Sequence, residues 1–172
     1  AELIKLNSLI NLPVTNTLMG LGVYPASDKN FLGMLGMHGT YQPNMAMHNA
    51  DIIIAVGARF DDRITNTPEK FAPKAQIVHF DVDHSSVSKI IEADIAVFGQ
   101  VKNSLEAINT KLESKLSEID DSRLDEWRSQ IAQWRDMHGL DHNLYKESSD
   151  KNPILPQAPV QHINHDSNAN DY

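Results

Sequence analysis

Short apolar runs separated by helical patterns dominate the first two thirds of the chain. Apolar residues at helical spacing predict a helix over Ala1–Asn11. The run Asp51–Gly57 is continuously apolar, which is typical of a strand covered on both faces. Similar short runs predict three more strands, namely Leu12–Thr17, Gln76–Val82 and Asp94–Phe98.

Two further helices are predicted among these strands. Pro43–His48 carries a proline near its first turn, and Ser85–Glu92 begins with a serine cap. Strands that alternate with helices favour an α/β fold, here a three-layer, Rossmann-like parallel sheet with helices on both faces.

Two amphipathic helices follow the predicted sheet. The first is predicted over Ser104–Ile119 and the second over Arg123–His138, with Gly139 at a position that favours a helix end. Trp127 and Trp134 lie on the apolar stripe of the second helix. We expect both to pack in the core, because large aromatic side chains dominate core burial.

These patterns divide the chain into three parts. We expect an α/β domain over 1–103, a helical extension over 104–139, and a linker with a disordered tail over 140–172. The last part is rich in His, Asn, Asp and Pro and holds few large apolar residues, a composition typical of disorder.

Composition narrows the class of protein. The 172 residues include no cysteine, which excludes a disulfide framework, a cysteine nucleophile and thiolate metal sites, and suits a reducing cytoplasm. A formal net charge of -8 without a basic stripe argues against a nucleic-acid partner. No apolar run approaches the roughly 18 residues of a membrane helix, so no membrane partner is expected.

Charged side chains follow the predicted strand Asp51–Gly57. Arg59 and Arg63 bracket two carboxylates there. Arginine supplies a planar fork for phosphate or carboxylate, and parallel sheets bind their ligands at the carboxyl ends of the strands. The alternative is that this loop holds only internal ion pairs.

The next predicted strand ends in the run His79–Asp83, which carries two carboxylates. An acid at such a position in a dinucleotide-binding fold commonly accepts hydrogen bonds from a ribose. The alternative is that an aspartate of this run caps the predicted helix Ser85–Glu92.

Glycine recurs at every third position in Gly33–Gly39, a segment that also carries two methionines. Such a loop can lie flat against a large ligand because few side chains intervene, and methionines pack well on aromatic rings. Two histidine pairs have metal-like spacing but lack a constellation of carboxylate or thiolate ligands. No metal site is therefore expected at His138/His142 or at His162/His165.

Three runs resemble the catalytic large subunit of acetohydroxyacid synthase, the biosynthetic acetolactate synthase. They are Leu12–Leu21 (LPVTNTLMGL), Leu32–Asn49 (LGMLGMHGTYQPNMAMHN) and Ala50–Thr65 (ADIIIAVGARFDDRIT). The strings GMHGTY and GARFDDR are together highly specific. The resemblance runs from about Ala1 to Asn109, and it implies the central, FAD-binding domain of a thiamine-diphosphate enzyme.

The resemblance also implies which residues contact ligands. Arg63 would reach the carboxylate of a 2-ketoacid substrate, with Met37 and Asp62 nearby. The implied FAD-binding residues are Thr17, Leu18 and Met19 at the flavin; Leu35, Gly36, Met37 and His38 along the isoalloxazine and ribityl chain; Gly57, Ala58, Arg59, Asp61, Arg63 and Ile64 at the ribityl phosphate; Asp81 and Val82 at the adenosine; and Gly99 and Gln100 at the far end.

The family condenses pyruvate with a second 2-ketoacid, pyruvate or 2-ketobutyrate, in branched-chain amino-acid biosynthesis. The resemblance also implies a homo-oligomer of large subunits with a small regulatory subunit, and the absence of cysteine predicts a cytoplasmic protein. It places the thiamine-diphosphate domains, with their Mg²⁺, and the first strand of this domain outside the 172 residues. No catalytic residue is expected in this chain, which alone should be inactive.

Two alternatives belong to other classes of protein. The first is a non-catalytic nucleotide-binding or interaction domain that keeps the fold. The second, a hydride-transferring dehydrogenase, is disfavoured because the sequence has no GxGxxG motif.

The strand ends and the glycine loop should form one binding surface, because each carries groups that suit a ligand. We expect a single groove at the carboxyl ends of the strands, lined by Gly57, Arg59, Asp81 and Gly36–His38.

Two further expectations concern Arg63 and the strand edges. The Arg63 guanidinium should point away from Asp61 and Asp62, so that it is available to a substrate carboxylate. Without a first strand between them, Leu12–Thr17 and Asp51–Gly57 should pair directly, or a second chain or the C-terminal tail should fill the slot.

Overall fold

The computed structural model describes residues 1–120, 122–138 and 157–167. The chain forms two compact units, Ala1–Gly139 and Leu140–Tyr172. Gly139 and His142, with most of the predicted linker and tail over 140–172, lie outside the described residues.

The described residues form six helices and five strands. In chain order these are α1 (Glu2–Ile10), β1 (Val14–Asn16), β2 (Phe31–Met34), α2 (Tyr41–Asn49), β3 (Ile52–Val56), α3 (Asp62–Thr65), β4 (Gln76–Asp81), β5 (Ile95–Phe98), α4 (Val101–Glu113), α5 (Ser122–His138) and α6 (Gln157–Asp166). Short 3₁₀ turns lie at Leu18–Gly20, Pro68–Lys70 and Leu116–Glu118.

Every strand pair in the described residues is parallel. Strands β1 and β2 form one sheet, and β3, β4 and β5 form a second sheet in that order, with β4 central. Ile53 is the register partner of Ile77, and Asp81 is the register partner of Phe98. The prediction of an α/β fold with parallel strands is confirmed.

One face of the second sheet carries a hydrophobic core. Ile53 and Ile77 are buried on it beneath the Phe60 side chain. Side chains of this size each contribute about 1.5–3 kcal/mol when fully buried. On the opposite face of β3, Ile52 and Ile54 remain 58% and 38% exposed. The expectation that this strand is covered on both faces is therefore wrong, and the described residues pack mainly on one of them.

Helix α5 packs against α2 and β2 through a second core. Leu32, Ala46 and Ile131 are buried there, and both tryptophans pack on them. The rings of Trp127 and Trp134 meet edge to face with centroids 5.6 Å apart. The expectation that the tryptophans are packing residues is confirmed.

The predicted helix Ser85–Glu92 is wrong, because turns and bends occupy this segment. The Asp83 carboxylate accepts hydrogen bonds from the Ser85 N–H at 2.9 Å and from the Ser86 hydroxyl at 2.7 Å. Ser88 has a positive φ of 57°. Side chains that hydrogen-bond to nearby backbone groups compete with helix formation, and in this segment they favour turns over a helix.

Strand β2 is not among the predicted strands, and its last two residues fall in the predicted glycine loop Gly33–Gly39. Its third residue, Gly33, has a φ of 95°, and the pairing with β1 shifts register between Val14 and Thr15. The Thr15 hydroxyl donates to the Gly33 carbonyl at 2.8 Å. A glycine inside a strand typically marks such an irregularity, and it hides the strand from a pattern of apolar residues.

Two further boundaries differ from prediction. Helix α4 ends at Glu113 rather than at the predicted Ile119. At this end, the Ser114 hydroxyl donates to the Lys111 carbonyl at 2.7 Å. In the second compact unit, α6 replaces part of the predicted disordered tail. Its Pro159 lies in the first turn, where the missing N–H would have had no helical partner.

Strands β1 and β3 belong to separate sheets, so the direct pairing considered for them is wrong within the described residues. The Gly57 N–H donates to the Phe80 carbonyl, and the Gln76 N–H donates to the Asp51 carbonyl. The alternation of a parallel ladder then directs every second β3 amide toward β4 and the others away from it.

Amide hydrogen exchange tests whether the side of β3 that faces away from β4 is unpaired, with the amides that face β4 as an internal control. The ladder directs the amides of Ile53 and Ala55 toward β4 and those of Ile54 and Val56 toward the open edge. We expect Ile54 and Val56 to exchange several-fold faster, since a backbone hydrogen bond contributes about 1 kcal/mol. Equal protection of all four amides would show that a further strand pairs with β3.

Candidate functional site

The loops that follow β2 and β3 touch through their backbones. The Met37 N–H donates to the Arg63 carbonyl at 2.8 Å. The Asn44 side chain on α2 holds the same loop from the other side, accepting from the Gly36 N–H at 2.7 Å and donating to the Gly36 carbonyl at 3.0 Å. These contacts bring the carboxyl ends of the two sheets together.

Gly36 is required at this contact. Its φ is 93°, and a Cβ at this position would lie 2.5 Å from the Arg63 carbonyl oxygen and 3.2 Å from the Ile64 Cα. Both neighbours are backbone atoms, which cannot rotate away as a side chain could. Any larger residue would therefore force the two loops apart.

A row of bare backbone continues along the carboxyl ends of the second sheet. The Gly57 N–H donates to the Phe80 carbonyl at 2.8 Å, and the Gly99 N–H donates to the Asp81 carbonyl at 3.1 Å. A Cβ on Gly57 would meet nothing within 4 Å. The structure thus places Gly57, Asp81 and Gly99 side by side on one edge, with open space above Gly57.

Both arginines of the Gly57–Arg63 loop form ion pairs inside the loop. Arg59 lies 3.2 Å from Asp61, and the Arg63 guanidinium lies 3.6 Å from Asp62. The expectation that Arg63 avoids such a pair is wrong, because Asp62 is its immediate neighbour at the start of α3. The two side chains of the Arg63–Asp62 pair are 66% and 73% exposed, however, and exposed pairs contribute only about 0–1 kcal/mol. A ligand anion could replace either carboxylate at small cost.

Asp61 also caps helix α3. Its carboxylate accepts from the Arg63 N–H at 3.5 Å. The adjacent Asp62 side chain, the Arg63 N–H and the charge of Arg59 together hold the pKa of Asp61 below its ordinary value. The ionised Asp61 carboxylate thus pairs with the Arg59 guanidinium and caps the start of α3.

Asp81 lies at the end of β4 and is 8% exposed. Its Oδ1 accepts from the Asp83 N–H at 2.8 Å. The alternative that an aspartate here caps a helix is wrong, since Asp83 organises a turn instead. Hydrogen bonds from Ser86 and then Ser85 lower the pKa of Asp83 to about 2. The stabilisation that Asp83 gives is thus complete above its ordinary pKa and is lost only as the pH falls toward 2.

His79 lies beneath this edge and was not predicted as a functional residue. It is 0% exposed, and within the described residues neither ring nitrogen has a hydrogen-bond partner. Its Nε2 lies 3.8 Å from Asp81 Oδ2, and Phe60 packs edge-on against the ring with centroids 5.2 Å apart. Phe60 itself has a φ of 53°, which is costly for a bulky residue. Buried packing therefore holds the strained turn that carries Arg59.

Exposed apolar side chains lie at the ends of β1 and β2. Leu18 and Met19 are 68% and 91% exposed, and Met37 is 61% exposed. The Thr17 hydroxyl accepts from the Gly20 N–H at 3.2 Å and fixes the turn that carries the first two. His38 is also exposed beside Met37. This end of the site is apolar, whereas the Gly57–Arg63 loop is charged.

The predicted site residues are distributed over the carboxyl ends of all five strands. Thr17, Leu18 and Met19 follow β1, and Gly99 and Gln100 follow β5. The residues Leu35–His38 and Arg63–Ile64 are in contact, as the Gly36 and Met37 geometry shows. Among the described residues, no group of three potential metal ligands is found, and no helix is long and apolar enough to cross a membrane.

The chain is similar to one domain of a known enzyme family. Residues 1–108 match the family described as thiamine pyrophosphate enzyme, central domain. The acetolactate synthase isozyme 3 large subunit of Escherichia coli is 46% identical over 154 residues, which is 88% of this chain and 26% of that protein. The acetolactate synthase large subunit of Haemophilus influenzae is 48% identical over 136 residues, 78% of this chain and 23% of that protein.

A plant relative shows the same pattern. Acetolactate synthase 3 of Brassica napus, a chloroplastic protein, is 39% identical over 162 residues, 93% of this chain and 24% of its own length. The chain thus spans about a quarter of the length of these relatives.

The contact at Gly36 can be tested with a matched glycine. Gly22 has a similar φ of 91°, but a Cβ there would meet nothing within 4 Å. Both Gly→Ala changes cost about 1 kcal/mol in backbone strain, and only Gly36→Ala also clashes with backbone. We expect Gly36→Ala to lower the free energy of unfolding by about 2 kcal/mol more than Gly22→Ala in urea denaturation. Equal losses would show that the loops are not in contact.

Proposed function

The chain belongs to the thiamine pyrophosphate enzyme family as its central domain, and on that basis we propose that it is the FAD-binding domain of an acetolactate synthase large subunit. The observation that carries the proposal is the backbone contact between Met37 and Arg63. It joins two glycine-containing loops at the carboxyl ends of parallel strands, where such sheets bind nucleotides.

The residues present suit FAD in shape and charge. Gly57 leaves backbone uncovered, since a Cβ there would meet nothing within 4 Å, so the linker of the dinucleotide can lie close to the chain. Arg59 and Arg63 form exposed ion pairs, and the arginine guanidinium is well suited to bind the oxygens of a phosphate. The exposed methionines Met19 and Met37 offer a polarisable surface to a flavin ring.

The proposed contacts follow the polarity of the site. The apolar end, Thr17–Met19 with Leu35–His38, would hold the flavin, and the charged loop from Gly57 to Ile64 would hold the ribityl phosphate. Asp81 and Val82 would meet the adenosine, with Gly99 and Gln100 at the far end. This order places each part of the dinucleotide against residues of matching chemistry.

Arg63 has a second proposed role. Its exposed guanidinium would bind the carboxylate of a 2-ketoacid in place of Asp62, with Met37 beside it. The exchange costs little because an exposed ion pair is weak. Arg63 would thereby orient the substrate at the edge of the FAD site.

The parent enzyme would condense pyruvate with pyruvate or 2-ketobutyrate in branched-chain amino-acid biosynthesis. Thiamine diphosphate with Mg²⁺ would supply the carbon–carbon chemistry, from domains outside these 172 residues. Large subunits would form a homo-oligomer with a small regulatory subunit. The residues of this chain would bind FAD and position substrate, without net redox chemistry.

Flavin binding tests the proposal directly. The full chain, incubated with FAD and then desalted, should retain visible flavin absorbance. Arg59→Ala should weaken FAD binding by about 10- to 100-fold, since a hydrogen bond to a charged group contributes about 1.5–3 kcal/mol. Fluorescence titration measures the dissociation constants.

Lys5→Ala is the matched control. Lys5 also forms an exposed ion pair, with Glu113 at 2.9 Å, but it lies on α1. It should leave FAD affinity unchanged. Absence of bound flavin, or equal weakening by both variants, would contradict the proposal and favour a domain that keeps only the fold.

A further inference from the structure

An aromatic pair lies beside Asp81 at the ends of β4 and β5. The rings of His84 and Phe98 are stacked, with centroids 4.0 Å apart and planes at 4°. Phe98 is the last residue of β5 and the register partner of Asp81. It is 46% exposed, and His84 is exposed as well. Neither ring belongs to a hydrophobic core.

The segment that carries His84 is tightly held although it lies at the surface. The Asp81 carboxylate accepts from the Asp83 N–H, and the Asp83 carboxylate accepts from the Ser85 N–H and hydroxyl and from the Ser86 hydroxyl. Two successive carboxylates thus fix the backbone on both sides of His84. The imidazole is presented to Phe98 with little conformational freedom left to lose on binding.

The neighbouring backbone leaves this surface open. Gly99 follows Phe98 with a φ of 137°, and a Cβ there would meet only the Ser104 hydroxyl, at 3.9 Å. A carboxylate next to an exposed aromatic stack is a combination that suits a purine nucleoside. The carboxylate accepts from ribose hydroxyls, and the base stacks on the rings.

We propose that His84 and Phe98 form a stacking platform for the adenine ring, so that the site binds the dinucleotide FAD in preference to flavin mononucleotide. The inference rests on the proposed FAD site and adds two residues to it. The platform lies at the ends of β4 and β5, next to Asp81 and Gly99. The preference arises because only a ligand with an adenine can contact the stack.

The test titrates the full chain and its Phe98→Ala and His84→Ala variants with FAD, flavin mononucleotide and ADP. The platform predicts that both variants bind FAD and ADP about tenfold more weakly, as expected for losing a stacked base. Affinity for flavin mononucleotide should not change, because that ligand has no adenine. Phe98→Tyr keeps a ring and should keep the affinity for FAD.

Ile95→Ala is the matched control. Ile95 lies on the same strand and is 57% exposed, but it is three residues from Phe98 and so on the opposite face. It should bind all three ligands as the unchanged chain does. Circular dichroism checks the fold, and His84→Ala, a change in an exposed turn, decides the result if Phe98→Ala does not fold.

Each outcome separates this inference from the proposed function. Equal weakening of FAD and flavin mononucleotide, or unchanged binding of FAD and ADP in both alanine variants, would overturn the platform. A chain that binds ADP through the stack but binds neither flavin would keep the platform and contradict the FAD site. A chain that binds none of the three ligands would contradict both.

Discussion

The packing of Gly36 against the backbone of Arg63 and Ile64 is the contact on which the site depends. The strands of the two sheets do not pair in the described residues, so their carboxyl ends are joined by loops rather than by a ladder. The Met37 N–H and the Asn44 side chain complete that junction. A side chain at position 36 would separate the apolar end of the site from the charged end.

Much of the fold could be predicted from local pattern. Strands β3, β4 and β5 lie within a residue or two of their predicted bounds, because short runs of apolar and β-branched residues favour strands whether or not both faces are buried. Prediction failed where side chains changed the local backbone. The glycine at position 33 interrupts the apolar pattern of β2, so that strand was not predicted. The hydrogen bonds of Asp83 favour turns where a helix was predicted.

The site was predictable only in part, and for a physical reason. The glycines and arginines that follow the strands could be identified as candidate ligand-binding residues from the sequence alone. The resemblance to a known family then added the other proposed contacts. The burial of His79 under Phe60 and the hydrogen bonds of Asn44 to Gly36 depend on contacts between separate elements of the fold. The Arg63–Asp62 pair joins sequence neighbours, but its geometry depends on how the chain enters α3. The stack of His84 on Phe98 also depends on such a contact, because the turn that carries His84 lies in a segment predicted as a helix.

Chemical-shift mapping by NMR during an FAD titration tests the central claim most directly. If FAD lies along the carboxyl ends of the strands, the amides of Gly36, Gly57 and Gly99 should shift together. The amides at the opposite ends of the same strands, such as those of Gln76 and Ile95, should stay unchanged. Shifts confined to the amino ends, or no shifts at saturating FAD, would contradict the account.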